Sequence, residues 1–162
     1  MVSIMRVTAI ITVFLLCSSL SPDKEGVKTD YSAIEKKIKE TYAEITKAAE
    51  SVDAEKLFSY VLENDKGSLI QGGKIVLTRK EALDSYKQNS QGIRKVDYKI
   101  DKQYVTVVSP QTAIVVVEGS FEATTADEQI FGSPFAQTIV FVLRDNKWKV
   151  LHSHTSRPVD GQ

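Results

Sequence analysis

A chain of 162 residues with 42% hydrophobic and 26% charged side chains suits one folded domain plus an appendage, and excludes a disordered or membrane-embedded protein. Lys plus Arg equals Asp plus Glu, 21 each, so no bulk field draws it to nucleic acid or to an anionic bilayer, and neither partner is expected.

The appendage comes first. Residues 1–19 have the pattern of a signal peptide: Arg6 supplies a positive charge, and Val7 to Cys17 (VTAIITVFLLC) is an apolar run too short to span a bilayer as a helix. Cys17, Ser18 and Ser19 supply small residues for cleavage before Leu20. The expected destination is the periplasm or the exterior. A lipoprotein anchored through Cys17 is the rival reading, although Leu16 stands where such sites carry Gly, Ala or Ser; a retained membrane anchor is a third. Cleavage would remove one charge, Arg6, and leave 20 basic against 21 acidic residues, so no membrane contact is expected unless Cys17 is lipidated. As the single cysteine, Cys17 offers no intramolecular disulfide, CxxC metal site or thiol nucleophile.

Residues 20–30 (LSPDKEGVKTD) read as a flexible linker. A helix follows: Ser32 and Glu35 have capping-box spacing, and Tyr31, Ile34, Ile38, Tyr42, Ile45 and Ala49 recur every three or four residues as one apolar stripe. Asp53 can cap a second helix over AEKLFSYVLEN, with Leu57, Phe58, Val61 and Leu62 on one side. GSLIQGGKIVLT reads as two short strands about Gly72-Gly73, and Thr78 with Glu81 announces a third helix, RKEALDSYKQN, in which Asp84 and Tyr86 look like surface and packing residues.

From Arg94 the texture becomes extended: KVDYKIDKQYVTVVS, TAIVVVEGSFEAT, AQTIVFVLRD and KWKVLHSHT, with SPQ and RDNK as tight turns and ADEQIFGSP as a longer connection able to close over something. Helices first and strands afterwards argue an α+β fold with an antiparallel sheet. In the second long strand Ala113, Val115, Val117, Phe121 and Ala123 form a wholly apolar face, while Ile114 and Val116 share the other with Glu118. Gln137 to Leu143 is apolar on both faces, so both need cover, and a homodimer through the sheet face is the expected source.

The last strand holds both histidines, His152 and His154, two residues apart and therefore on one face, with Cα atoms ~6.6 Å apart. Strict alternation groups them with Trp148, Val150 and Ser156, and this bulkier face is expected to turn inward. There they could orient a ligand or exchange a proton near neutral pH, or one could simply tie down the strand. Glu118, if it faced the cavity, would be a semi-buried carboxylate suited to general-base work; the alternative is an exposed strand end. Arg157 could bind an anionic group or sit in the tail. Two histidines with Glu118 or Glu122 do not make a compelling metal site, and no metal or cofactor is expected. IQGGK lacks the spacing of a phosphate loop.

Helix–helix–strand–helix followed by long antiparallel strands, ending in WKVLHSHTS, resembles the nuclear transport factor 2-like superfamily over Tyr31 to Ser156. The pattern is most similar to the SnoaL-like branch and to the association domain of calcium/calmodulin-dependent kinase II. The resemblance implies a cone-like curved antiparallel sheet wrapped around three N-terminal helices, enclosing an apolar pocket, and a dimer. It places the domain at 31–157, with 158–162 as a tail. It implies little chemistry, since members include isomerases, cyclases, dehydratases, transport adaptors and oligomerisation modules. Steroid-isomerase members use a pocket carboxylate, and no Asp here sits in a matching motif. The expected pocket residues are His152, His154, Glu118, Trp148, Tyr42 and Tyr60. The expected function is binding of a small apolar or amphipathic molecule with no assigned reaction. The alternatives are an assembly module, or an isomerase- or lyase-type enzyme using a pocket His or Glu.

Overall fold

The computed structural model describes residues 30–64 and 66–158. The signal peptide, its cleavage point, Cys17, the linker up to residue 29 and the tail from 159 lie outside the described residues.

Helix α1 (Tyr31–Glu50) begins at Asp30, whose carboxylate accepts from the N–H groups of Ser32 and Ala33 at 3.0 and 3.1 Å. Asp30 is therefore the cap in place of Ser32, whose hydroxyl donates to the same carboxylate at 2.8 Å. From Ile34 onward the apolar stripe packs as its spacing requires, with Ile38, Tyr42 and Ala49 buried, while Tyr31 at its start is exposed. Helix α2 (Ala54–Ser59) is capped by Asp53, which accepts from the Lys56 N–H at 3.0 Å. It stops well short of Asn64. Val61 instead forms a parallel bridge with Val150: Leu62 N–H donates to Val150 O and Val150 N–H to Tyr60 O, both at 2.8 Å. Tertiary pairing overrides the local helical pattern.

Strands β1 (Leu69–Gln71) and β2 (Lys74–Val76) form the expected hairpin, turning on Gly72 and Gly73 at φ +57° and +72°. Helix α3 (Arg79–Asn89) opens with the reciprocal box, Glu81 N–H to the Thr78 hydroxyl at 3.1 Å and Thr78 N–H to the Glu81 carboxylate at 3.2 Å. Then come β3 (Ile93–Ser109), β4 (Thr112–Thr125), β5 (Ile130–Arg144) and β6 (Lys147–Ser156). The six strands order as β2-β1-β6-β5-β4-β3 in a curved, unclosed sheet, antiparallel except where β1 meets β6. The fold is α+β, as expected.

ADEQIFGSP is not a loop closing over the interior. Ile130 to Pro134 pair with β4, Ile130 opposite Thr124 and Pro134 opposite Ser120. The apolar face of β4 packs inward, and Ala113, Val115, Val117, Phe121 and Ala123 are all buried beside Ile38, Phe141 and Trp148. On β5, Ile139 and Phe141 face the same core, while Val140 is half-buried and Val142 buried, so part of the cover expected of a partner comes from the chain itself.

Strand β6 breaks the expected alternation. Val140 lies opposite His152 but Phe141 lies opposite Val150, so Leu151 has no partner on β5 and forms a bulge. Trp148 and Val150 are buried before it; beyond it the inward positions pass to Ser153, 7% exposed, and Thr155. His152 and His154 turn to the outer face.

Gly119 on β4 sits where β3 passes closest. A Cβ there would run into the Lys99 carbonyl oxygen and lie 3.3 Å from Ile100 Cα, both backbone atoms beside a bulge in β3. Gly119→Ala should therefore lower stability by ~1–3 kcal/mol, read as a lower urea midpoint at constant m-value. An unchanged midpoint would mean that β3 yields freely.

Candidate functional site

A cavity of about 230 Å³ opens between the inner sheet face and the helices. At ~30 Å³ per water it has room for roughly eight waters, or one small organic molecule. Helix α1 contributes Tyr42 and Ile45, α2 Leu57 and Phe58, α3 Ala82 and Tyr86, and the sheet Tyr98, Phe121, Phe135 and Ile139. Aromatic rings lock one another. Tyr98 meets Phe135 edge-on at 5.9 Å and lies tilted to Phe121 at 6.2 Å, while Phe58 meets Tyr86 edge-on at 5.7 Å.

Polar groups form one strip along β5 and β6. Gln137 stands opposite Thr155, and its Nε2 donates to the hydroxyls of Ser153 and Thr155, both at 3.1 Å. Gln71, the register partner of Thr155 on β1, extends the strip. Just past β6, Arg157 reaches back into the wall with its guanidinium carbon 4.5 Å from the centre of the Phe121 ring.

Burial pushes the Tyr42 and Tyr86 phenols up to about 12, since an apolar wall disfavours the phenolate. The Tyr98 phenol is also raised by burial, against the opposing pull of Arg157. All three are neutral hydrogen-bond donors at ordinary pH. Among the described residues no Asp, Glu, His or Cys belongs to the wall, and no three such residues stand close enough together to hold a metal ion.

Of the six expected pocket residues, only Tyr42 lines the cavity. Trp148 is buried in the adjoining core but is not part of the wall. The Tyr60 hydroxyl donates to Glu44 at 3.1 Å outside it. Glu118 is exposed on the outer face, where Lys102 Nζ lies 3.0 Å from its carboxylate. Alternation from Ile114 and Val116 already places it there, opposite the buried odd face. His152 donates from Nδ1 to Gly67 O at 2.9 Å, so that ring serves the strand, and His154 is exposed. The bulge at Leu151 moved both histidines out. Tyr86, expected only to pack, is in the wall with Tyr98, Ser153 and Thr155. Gln137 carried a legible signal: one amide at an inward position of β5, between Phe135 and Ile139.

The SnoaL-like domain family matches residues 38–160. The chain belongs to that family. No curated protein sequence matches it. Similar folds include a nuclear transport factor 2-like superfamily protein from Salmonella enterica, 16% identical, with TM-score 0.72 over 82% of this chain and 96% of that one. The association domain of C. elegans CaMKII is 14% identical, with TM-score 0.63 over 77% and 96%. A type 2 hexachlorocyclohexane dehydrochlorinase is 15% identical, with TM-score 0.65 over 81% and 92%. At these identities the likeness is one of fold.

The raised Tyr42 phenol ties stability to alkaline pH. The folded chain holds this proton more tightly than the unfolded one, whose phenol ionises near 10.0, so the contribution is complete below pH 10 and is lost as pH rises through about 12. Chemical denaturation at pH 9 and pH 11 should show wild type losing about 1 kcal/mol more than Tyr42→Phe, the first part of the ~2–3 kcal/mol that the full shift represents. Parallel losses in the two proteins would contradict the burial of this hydroxyl.

Proposed function

We propose that this SnoaL-like domain binds a small, mostly apolar molecule in its cavity and holds it without chemical change. The observation that carries this reading is the wall's composition: aromatic and aliphatic surface, one strip of neutral polar groups, and no carboxylate, imidazole or thiolate among the described residues to take a proton. Phenols raised to about 12 are poor bases at neutral pH. An isomerase or lyase resting on His152, His154 or Glu118 would need those groups in reach of the ligand, and they stand on the opposite face of the sheet. The leader pattern in residues 1–19 supports action outside the cytoplasm.

A second reading concerns assembly and does not compete with the first. The outer sheet face aligns Tyr104, Val116, Thr138 and His154 in one row and Thr106, Ile114, Val140 and His152 in the next. Tyr104, Val108 and Val116 are 63%, 57% and 44% exposed. We propose that a second copy of the chain covers this face, a reading supported by the likeness in fold to an association domain.

2-Naphthol is a suitable probe of the cavity. Gln137→Leu should weaken its binding by calorimetry roughly 3- to 10-fold, the worth of about one neutral hydrogen bond, while His154→Ala leaves it unchanged. The reverse pattern would move the site to the outer face, and no binding by wild type would end the proposal. For assembly, sedimentation should give a dimer burying ~1,200–2,000 Å² in total. Val116→Lys should shift it to monomer without a change in thermal midpoint beyond that due to dissociation; a monomeric wild type at tens of micromolar would overturn this reading.

A further inference from the structure

We propose that the cavity selects an amphipathic acid, with the carboxylate of the ligand held at the rim by Arg157 and its apolar body among the aromatic rings. The inference rests on the binding function proposed above and adds the charge of the ligand.

Three observations meet at this end of the cavity. Arg157 forms no ion pair with any carboxylate among the described residues, although nine other Lys and Arg side chains do. Its guanidinium lies over Phe121, and among the described residues no side chain or backbone acceptor occupies its N–H fork, which suits a planar, bidentate acceptor. The polar groups around it offer donors. Tyr98 packs against the same Phe121 ring that Arg157 covers, and Tyr42 and Tyr86 line the same cavity. Because Gln137 Nε2 donates to Ser153 and Thr155, those hydroxyls keep their own protons to give.

The sign of the ligand's charge follows. A cationic head would meet Arg157 and no wall carboxylate. A neutral head would use the donors but forgo the one full charge. An anion uses both. Arg157 is exposed and also borders a shallow outer cleft with Glu118, Asp101 and Ser156, so it stays hydrated at the rim. Glu118 there is already paired with Lys102. The expected gain is that of a partly exposed charged hydrogen bond, tenfold or somewhat more.

Titration calorimetry of the chain beginning at Leu20 with three acid–amide pairs tests this: 2-naphthoate and 2-naphthamide, 4-phenylbutyrate and its amide, octanoate and octanamide. In at least one pair the acid should bind about tenfold more tightly than its amide. Arg157→Gln should bring that ratio near one and leave amide affinity unchanged, while Arg157→Lys should keep part of the preference. Equal affinities within every pair, or a preference that survives Arg157→Gln, would overturn the acid assignment and leave the cavity a site for neutral molecules. No binding by any of the six would overturn the binding function itself, and this inference with it.

Discussion

Leu151 enters β6 without a partner on β5, and every side chain after it changes face. Alternation continued from Trp148 would have put two imidazoles against the core; with the extra residue, the core side receives two small hydroxyls. A bulge leaves ladder groups unpaired, and buried backbone polar groups need partners. The segment between α2 and β1 supplies them. Asn64 Nδ2 donates to Leu151 O at 3.2 Å, the His152 ring to Gly67 O at 2.9 Å, and Ser153 N–H to Ser68 O at 3.1 Å. That segment is fixed to β6 on both sides of the bulge, by Val61 against Val150 before it and by Leu69 to Gln71 against Ser153 to Thr155 after it. Seven residues, 62 to 68, thus span what β6 covers in two, 151 and 152, and the slack is the length needed to bring Asn64, Gly67 and Ser68 to the bulge.

The same interaction explains which features the sequence announced. Caps at Asp53 and Thr78, the Gly72-Gly73 turn and the inward face of β4 are local or strictly periodic, and each formed as read. The cap of α1 lies two residues earlier than Ser32, at Asp30, whose carboxylate takes the N–H groups of Ser32 and Ala33 and the Ser32 hydroxyl as well. α2 lost its second half to Val150, a residue nearly ninety positions away, which no local pattern reports. The start of β5 was hidden by Pro134, which argues against an interior strand. Here β6 begins to cover β5 only at Ala136, so Pro134 lies where β5 is still an edge and its missing N–H costs no pairing on that side. A bulge is an insertion into a period of two and has no period of its own. The fold is therefore legible in the sequence, while the facing of β6 beyond one unpaired residue is not, and His152 and His154 lie on the outer face of the sheet.

What remains in the cavity follows from the cost of burying charge. Each charged side chain weighed as a pocket group is found where water can reach it: Glu118 with Lys102 on the outer face, and Arg157 at the rim. The enclosed polar groups are hydroxyls and an amide, which need partners rather than counter-ions. Gln137 meets that need locally, its two donor contacts falling on Ser153 and Thr155 across one strand pair. Acid–base chemistry at neutral pH would require an added group with a pKa near 7, and the cavity-lining positions of β4, β5 and β6 are held by aliphatic, aromatic and hydroxyl side chains and the Gln137 amide.

A fold shared with a dehydrochlorinase and an association domain does not decide between those roles, since members of one fold differ at the side chains that line it. In this chain the two surfaces are not independent. The register that places Ser153 and Thr155 under Gln137 also places His152 beside Val140, and His154 beside Thr138 in the row of Val116 and Tyr104. One inserted residue therefore composes the cavity floor and the outer face together. Moving the histidines inward by restoring alternation would strip the hydroxyl strip from the cavity and bring the opposite parity of β6 to the outer sheet. The inner and outer surfaces are two readings of a single register, and the bulge at Leu151 selects which side chains each receives.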